Sequence, residues 1–587
     1  MKSITLGKHR ETGARVELPV SAFATHVHMP GATGKGKSSA IFLMLKQLLL
    51  DWRNPHCHVV VDFLGGLSND LLLWMSTDRC SAQVRDRLVL FRPGDSPATL
   101  TLNPLLYSDY DQGFYKVNRA TELILRAWSA QDLAEQPRLA RWLFNVMWAC
   151  ALLKLTIADT VHLLLPGSPY HSSLLAALPD RLRMEWQEIL NARGGEAAKI
   201  LDSTRNRMKP FHESGILRRL FGSSVNRLDA TRFMREGKIL ILDLSPLGKV
   251  SPHEANAIAG LVVNEFLAAA RSLPRTVRYP TYLWLDEFQR LVTPDFEYAI
   301  PEMRQLGVRL VLAHQSFSQL KTDTTDLTSL IWQPQTRLAF GEQGEDAEIL
   351  ANELASLTFD PKWIKDEIHS LRQIQTGHKL VELSSWSTGM TTSDQWQKSY
   401  QFTHGTNEAE SKRDGTAEKT KAKGTSGSDA EGRSDGGGSS RSATESRAQH
   451  LVAELENVRE LSSRSYFTFE DQKQLWAQKV RLLRTGQCVL RTVNDDAIQS
   501  VVIDDPKPGM LGFDPAVIEK RFPEVIERRE QLIEENYRRE WFADPQAIEF
   551  EMEQRIERVL NPPIVLSSPD SNAPRVGKPT SQSPFTE

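Results

Sequence analysis

The run Gly31-Ala-Thr-Gly-Lys-Gly-Lys37-Ser38 constrains this chain more than any other stretch of it. It satisfies G-x-x-x-x-G-K-[ST], and the flanks suit that pattern: an apolar run ends at Met29 and a helical pattern opens at Ser38–Ser39. Glycines let a backbone fold around an anion so that successive N–H groups point inward. The following helix turns its positive N-terminal end to the same charge. Lys37 then reaches the β- and γ-phosphates of a nucleotide, and Ser38 ligates Mg2+. The spacing predicts a strand–loop–helix unit that binds ATP through Gly31, Ala32, Thr33, Gly34, Lys35, Gly36, Lys37, Ser38 and Ser39. A glycine-rich turn matching by accident would lack both the strand and the helix.

The surrounding sequence reads as an α/β fold with a mostly parallel sheet. Strands are expected at 25–29, 58–63, 87–91, 238–244, 281–288 and 308–313, with helices such as 39–50 and 253–271 between them. Several strands are apolar throughout, as strands covered on both faces are. Residues 1–104 and 236–384 are expected as two parts of one ATPase domain, with 105–235 as a helical insertion whose core holds Trp128, Trp142, Trp148 and Trp186. Residues 385–449 are expected as a disordered linker. Its centre, 404–448, has no aliphatic side chain larger than Ala and no Phe, Tyr or Trp, too little apolar surface to offset ordering. A helix near 470–484 and strands at 488–493 and 500–504 then close the domain (450–505), and 506–587 is a charged helical region with a disordered tail.

Two further signals fit the phosphate loop. Tyr282-Leu-Trp-Leu-Asp286-Glu287 is a buried strand that delivers two adjacent carboxylates to the sheet's C-terminal edge, where the loop sits. Asp286 suits the magnesium hydration shell and Glu287 the attacking water, because successive strand residues point in different directions. The strand in VRLVLAHQSFSQL ends at Gln315, a neutral amide able to sense a γ-phosphate or, alternatively, to cap the next helix. Upstream, Arg304 reads either as a finger toward a neighbouring subunit's γ-phosphate or as a solvated helix arginine.

Composition limits the partners. Among 587 residues, 71 Lys and Arg stand against 74 Asp and Glu, so any nucleic-acid contact must come from a local patch. Residues 203–235 hold eight basic residues against two acidic ones, among them Arg205, Arg207, Lys209, Arg218 and Arg219, which suits DNA phosphates or, alternatively, a subunit-facing or solvated surface. The 519–557 stretch is acidic, with 12 acidic and 7 basic residues, and reads as a solvated or partner-docking helix. Four cysteines lie far apart, which points to a reducing compartment. The first twenty residues have no apolar signal segment, and the longest apolar run, 143–153, is roughly half a membrane span. The expectation is a cytoplasmic protein with no integral membrane segment, at most peripheral to the inner membrane.

The succession MPGATGKGKSS, VVVDFLGGL, LNPL, YLWLDEF and MRQLGVRLVLAHQSFSQL resembles the HerA–FtsK–TraG superfamily of hexameric DNA-pumping ATPases, and within it the TraG/TraD-type conjugative coupling proteins. The likeness spans residues 1–360 and resumes at 450–505. It implies a RecA-like P-loop NTPase core, with Lys37 and Ser38 on the nucleotide, Asp286 and Glu287 on metal and water, Gln315 as sensor and Arg304 acting in trans. It also implies ATP and Mg2+ as cofactors, DNA as a partner, a homo-hexamer, and a relaxase, secretion channel or nuclease alongside. The reading is an ATP-hydrolysing DNA translocase in conjugative or mobile-element transfer. Two alternatives stand beside it: a HerA-like motor paired with a nuclease in end processing or phage defence, and a nucleotide-gated assembly scaffold. The chain departs from the family in three ways. No membrane helices precede the motor, and the residues before the first core strand are too few for the HerA β-barrel. Asp62-Phe-Leu-Gly65 also stands where relatives read Asp-Pro-Lys-Gly.

Overall fold

The computed structural model describes residues 2–51, 53, 55–128, 137–191, 196–292, 294–322, 325–390, 441–493 and 495–561. The chain divides into two units, Met1–Asp360 with Thr468–Glu587, and Pro361–Phe467. In chain order the first unit begins with β1 (Ser3–His9), β2 (Arg15–Pro19), β3 (Val27–Pro30), β4 (Cys57–Asp62), β5 (Leu88–Phe91), β6 (Ile239–Asp243), β7 (Thr281–Leu285), β8 (Val308–His314) and β9 (Thr336–Phe340). The second unit holds β10 (Ile364–Met390) and β11 (Arg441–Tyr466), after which the chain returns to the first with β12 (Gln487–Thr492) and β13 (Asp495–Ile503).

The first unit's strands form one sheet in the order β2-β1-β13-β12-β9-β3-β8-β7-β4-β6-β5. From β9 to β5 every pairing is parallel, and β12, β13, β1 and β2 extend the sheet antiparallel on the other side. Side chains alternate between two separate cores. Val59, Val61, Leu240, Leu242, Leu283, Leu285, Leu310 and Leu312 join one, while Val60, Ile239, Ile241, Tyr282, Trp284, Val311 and Ala313 join the other. A strand whose both faces are covered must be apolar at every position, and this is why these runs do not alternate. The result is a mostly parallel α/β sheet with flanking helices.

Residues between β5 and β6 form the helical layer, including Tyr110–Trp128, Pro137–Leu152 and Glu196–Glu213. Trp142 and Trp186 meet edge-on at 5.3 Å in its core, Trp148 is buried with them, and Trp128 packs on Phe211 at 5.2 Å. No single described helix is long and apolar enough to cross a membrane; the pair Pro137–Leu152 and Ile157–Leu164 reaches the length only across a 114° bend.

The C-terminal helices differ from the expectation of a solvated element. Helix Pro523–Tyr537 buries Val525 and Leu532, and its Asn536 side chain donates to the Leu90 carbonyl and accepts from the Leu90 N–H, both at 2.8 Å. One amide thus satisfies the open edge of β5 as a neighbouring strand would. Helix Pro545–Leu560 is pinned to the insertion by Arg555, which contacts Asp159 at 2.9 Å and the Gly222 carbonyl at 2.7 Å, with 7% and 2% of the two ionic side chains exposed. Residues 562–587, the expected tail, lie outside the described residues.

The second unit corrects the boundaries drawn from composition. β10 and β11 pair antiparallel from Ile364↔Tyr466 to Met390↔Arg441. Residues 361–384 therefore do not continue the ATPase domain, 385–390 and 441–449 are strand rather than disordered linker, and 450–466 belongs to the hairpin. Lack of apolar residues argues against a core, but a two-stranded ladder satisfies its backbone without one. Residues 391–440, most of the expected linker, lie outside the described residues.

Because Arg555 neutralises a carboxylate buried in the insertion, Arg555→Ala should destabilise the fold by about 3–5 kcal/mol, and replacing both partners by apolar residues should recover most of it. Thermal unfolding of the two variants checks this; equal losses would show that packing, and not the stranded charge, carries the effect.

Candidate nucleotide site

The C-terminal ends of the parallel strands gather polar residues that the strand interiors exclude. β3 runs into the loop 31–36, β4 ends at Asp62, β6 at Asp243, β7 runs into Asp286, β8 into Gln315 and β9 into Glu342. Helix Lys37–Leu50 begins where the glycine loop ends, and Gly36 at φ 102° takes a left-handed conformation that a side chain would strain. A Cβ at Gly36 would also approach the Gly486 nitrogen to 3.1 Å.

Two segments hold the loop from outside. The Ala32 N–H donates to the Gly341 carbonyl beyond β9 at 3.0 Å. On the loop that leads into β12, Leu483 accepts from Lys35 Nζ at 2.9 Å, Gly486 donates to the Lys35 carbonyl at 3.0 Å and Thr485 donates to the Gly34 carbonyl at 3.1 Å. Lys37 is buried and donates to the carbonyls of Gly31 and Ala32. Burial lowers its pKa, and the charges of Asp286, Glu287 and Glu342 partly oppose that.

Ser38 donates to Asp286 Oδ2 at 2.5 Å, so the two residues expected to share a metal are in contact. Burial pushes the Asp286 carboxyl up to about 6, and nearby Glu287 and Asp62 add to this. A hydroxyl and a carboxylate are hard oxygen donors, the set that Mg2+ takes. Glu287 does face elsewhere, for a specific reason: its backbone sits at φ 60°, the left-handed region where a non-glycine residue is strained. Its carboxylate accepts from Gln315 Nε2 at 2.6 Å and from Gln289 Nε2 at 2.5 Å. Gln315 Oε1 in turn accepts from Thr33 of the glycine loop at 2.7 Å, so the amide bridges the loop to Glu287.

Arg304 is placed differently. It is exposed, near the end of helix Pro294–Gln305, and precedes β8, whereas Gln315 follows it. Seven strand residues at ~3.3 Å each set the two about 20 Å apart. The structure therefore does not bring Arg304 to its own subunit's loop.

Of the five expected DNA contacts, Arg205, Lys209 and Arg218 have protein partners. Arg205 bonds Asp202 at 2.8 Å and the Leu164 carbonyl at 2.9 Å, and Lys209 pairs with Glu213 at 3.5 Å. Arg218 pairs with Glu549, and Arg219 borders the same helix beside Glu549 and Glu553. Arg207 leaves its buried Nε without a partner. Further along, Arg232 pairs with Glu236 and Glu540 and lies over the Trp541 ring at 4.2 Å. The acidic C-terminal region thus pairs with Arg218 and Arg232 of the segment 203–235.

Two features escaped the sequence reading. Glu342 is buried with Oε1 unbonded, and its carboxyl is pushed up to about 8 by burial and by Asp346. The 483–486 clasp joins loops 450 residues apart, so no local pattern announces it. In the Asp62–Gly65 turn, the Asp62 carboxylate accepts the N–H groups of Leu64, Gly65 and Ser68 at 3.0, 2.9 and 2.7 Å, and Gly65 at φ 82° leaves no room beside Ser245. The Asp and Gly shape that turn, and Leu64, in place of the relatives' lysine, is 69% exposed.

Residues 280–355 match the family model described as the TraM recognition site of TraD and TraG. The matched stretch contains Asp286, Glu287, Arg304 and Gln315, in line with the TraG/TraD resemblance of the motifs. Solved structures similar to this chain include the bacterial conjugative coupling protein TrwBdeltaN70, at 16% identity and TM-score 0.46, covering 86% of this chain and 90% of that one. TrwB in complex with ADP and Mg2+ gives 15% identity and TM-score 0.47 over 86% and 90%. VirB4 of Thermoanaerobacter pseudethanolicus gives 14% and 0.38 over 60% and 88%. No curated protein sequence matches the chain.

The Glu342 carboxyl binds its proton more tightly folded (about 8) than unfolded (4.5), so its burial costs stability progressively as pH rises from 4.5 to 8 and fully above that. Glu342→Gln should therefore raise the melting temperature at pH 8.5 and leave it unchanged at pH 4.5. Melting curves across that range check it; a pH-independent shift would remove the carboxylate from the account.

Proposed function

We propose that this chain is an ATPase that moves DNA, working as a homo-oligomeric ring, in conjugative or mobile-element transfer. The observation that carries the reading is the continuous contact network at one sheet edge, from Ser38 to Asp286 and from Thr33 through Gln315 to Glu287. In this reading the glycine loop and Lys37 bind the triphosphate, while Ser38 and Asp286 hold Mg2+. The metal, when bound, neutralises charge on the β- and γ-phosphates. Glu287, steadied by Gln315 and Gln289, accepts a hydrogen bond from the attacking water and orients it. Gln315 also touches the loop through Thr33, so a change at the γ-phosphate reaches the water-holding carboxylate through one amide. Relaxase, channel or nuclease partners belong to the same proposal, and the TraG/TraD match favours the conjugative setting.

Lys37→Ala should abolish nucleotide binding, whereas Glu287→Gln should bind ATP and retain it unhydrolysed. Nucleotide binding and turnover, each measured with and without single- and double-stranded DNA, check this. Equal loss of binding in both variants would contradict the division of roles. Turnover indifferent to DNA would turn the reading toward a nucleotide-gated scaffold.

The position of Arg304 supports its action on a neighbouring copy. Arg304→Ala should keep ATP binding and lose turnover by ~10³-fold. Mixed with Glu287→Gln, it should recover activity, because an intact Glu287 site can then face a neighbour's intact Arg304. A mixed, assembled oligomer without recovered hydrolysis would sink the trans assignment.

A further inference from the structure

Arg304 does not stand alone at the edge of the sheet opposite the glycine loop. A pocket of about 140 Å³ there is lined by four arginines, Arg275, Arg278, Arg304 and Arg309, and by no carboxylate among the described residues. The walls are built from the segments that enter β7 and β8. Gly307, at φ 73°, lets Arg275 lie against the backbone: a Cβ there would come within 3.0 Å of Arg275 Nε. Arg275 donates to the Gln305 carbonyl at 3.2 Å and Arg278 to that of Leu306, while Arg309 donates to the Tyr282 hydroxyl with its guanidinium 4.8 Å from that ring.

These bonds orient the guanidiniums without neutralising them. An arginine carries five N–H donors, and each of these three spends one or two on the protein. Among the described residues none of the four arginines has a carboxylate within 4.0 Å, whereas Arg218 and Arg232 of the basic segment 203–235 are ion-paired. Arg278 is half-buried, and both burial and the Arg275 charge lower its pKa. Four like charges drawn together with no counter-charge repel one another, and an anion of high charge density would relieve this. Guanidiniums in a concave cluster match phosphate oxygens in geometry as well as in sign.

We propose that Arg275, Arg278, Arg304 and Arg309 form a phosphate-binding pocket that receives the triphosphate of ATP held by a neighbouring copy of this chain. The proposal rests on the trans reading of Arg304 and extends it from one finger to a set. The pocket lies about 20 Å along β8 from the chain's own loop, so the phosphates it receives are not its own. In a ring built head to tail, the face that a copy offers its neighbour differs from the face it receives. Loop edge and arginine edge are two such different faces. A DNA backbone phosphate is the competing ligand, and the experiment separates the two.

The double variant Arg275→Gln/Arg278→Gln, in the full chain, is assayed for three quantities: binding of a fluorescent ATP analogue, DNA affinity with its salt dependence, and ATP turnover. The expected result is weaker nucleotide binding in the assembled oligomer, unchanged DNA affinity, and turnover lowered by ~10²-fold or more, the scale seen when one donor to a developing oxyanion is removed. Mixing the double variant with Glu287→Gln should restore turnover, because its intact Glu287 would face the partner's intact arginines; a folding defect would show no such rescue. Unchanged turnover would overturn the proposal, as would a fall in DNA affinity with a shallower salt slope and no loss of turnover at saturating DNA. Arg304→Ala run in parallel separates the two levels. If it alone loses turnover, only the four-arginine pocket fails; if it retains turnover, the trans reading fails with it.

Discussion

Seven parallel strands buried on both faces leave this sheet no place for charge except its two ends. Within β4, β6, β7 and β8 nearly every side chain lies in one of two apolar cores, so a carboxylate there would lose its hydration with nothing in return. The chemistry is therefore displaced to the strand tips, where the chain turns and backbone N–H groups become available. Asp62 shows the transition: two residues past the buried Val60 it is still only 2% exposed, yet it accepts three N–H bonds from the turn that follows.

That constraint also explains why the chain's last strands return to the site. The glycine loop has an irregular backbone, and its carbonyls need partners when no phosphate orders it. β12, entering beside β9, brings Leu483, Thr485 and Gly486 against the loop, and the Gly34 and Lys35 carbonyls are satisfied there. The second unit, Pro361–Phe467, is inserted in the chain just before the helix Phe469–Arg481 that leads to this clasp. A local motif is thus completed by residues more than 440 positions away.

What was legible in the sequence follows the same division. Runs such as HVVVD and ILILD announce themselves because double burial demands unbroken apolarity, and the glycine loop because phosphate binding demands unusual residues at fixed spacing. β2 is a half-polar edge strand and β1 its half-polar neighbour, and β9 is a short TRLAF run whose Arg337 is buried against His28 and Glu353; neither the period nor the apolarity of such segments stands out. Charge density is harder to read than hydropathy. The basic run 203–235 meets Glu540, Glu549 and Glu551 of the C-terminal region at Arg232, Arg218 and Ser223, a pairing over 300 residues of separation that no window of sequence contains. The arginines at 275, 278, 304 and 309 are scattered through neutral sequence, and only the entry points of adjacent β7 and β8 bring them together.

The two ends of the sheet differ in character: Asp62, Asp286 and Glu287 lie where the strands leave, and Arg275, Arg278, Arg304 and Arg309 where β7 and β8 enter. A carboxylate-rich end can bind a triphosphate only with cations supplied, by Lys37 and the helix N-terminus from within and by metal from solution. It remains short of positive charge on its open side. An arginine-rich end with no acid of its own has the reverse deficit. Within one copy the length of β8 keeps the two apart, so neither can relieve the other. In the head-to-tail oligomer proposed above, the arginine edge of one copy would face the nucleotide phosphates at its neighbour's loop edge, and closing the interface and stabilising the transferring phosphoryl group would be the same electrostatic event.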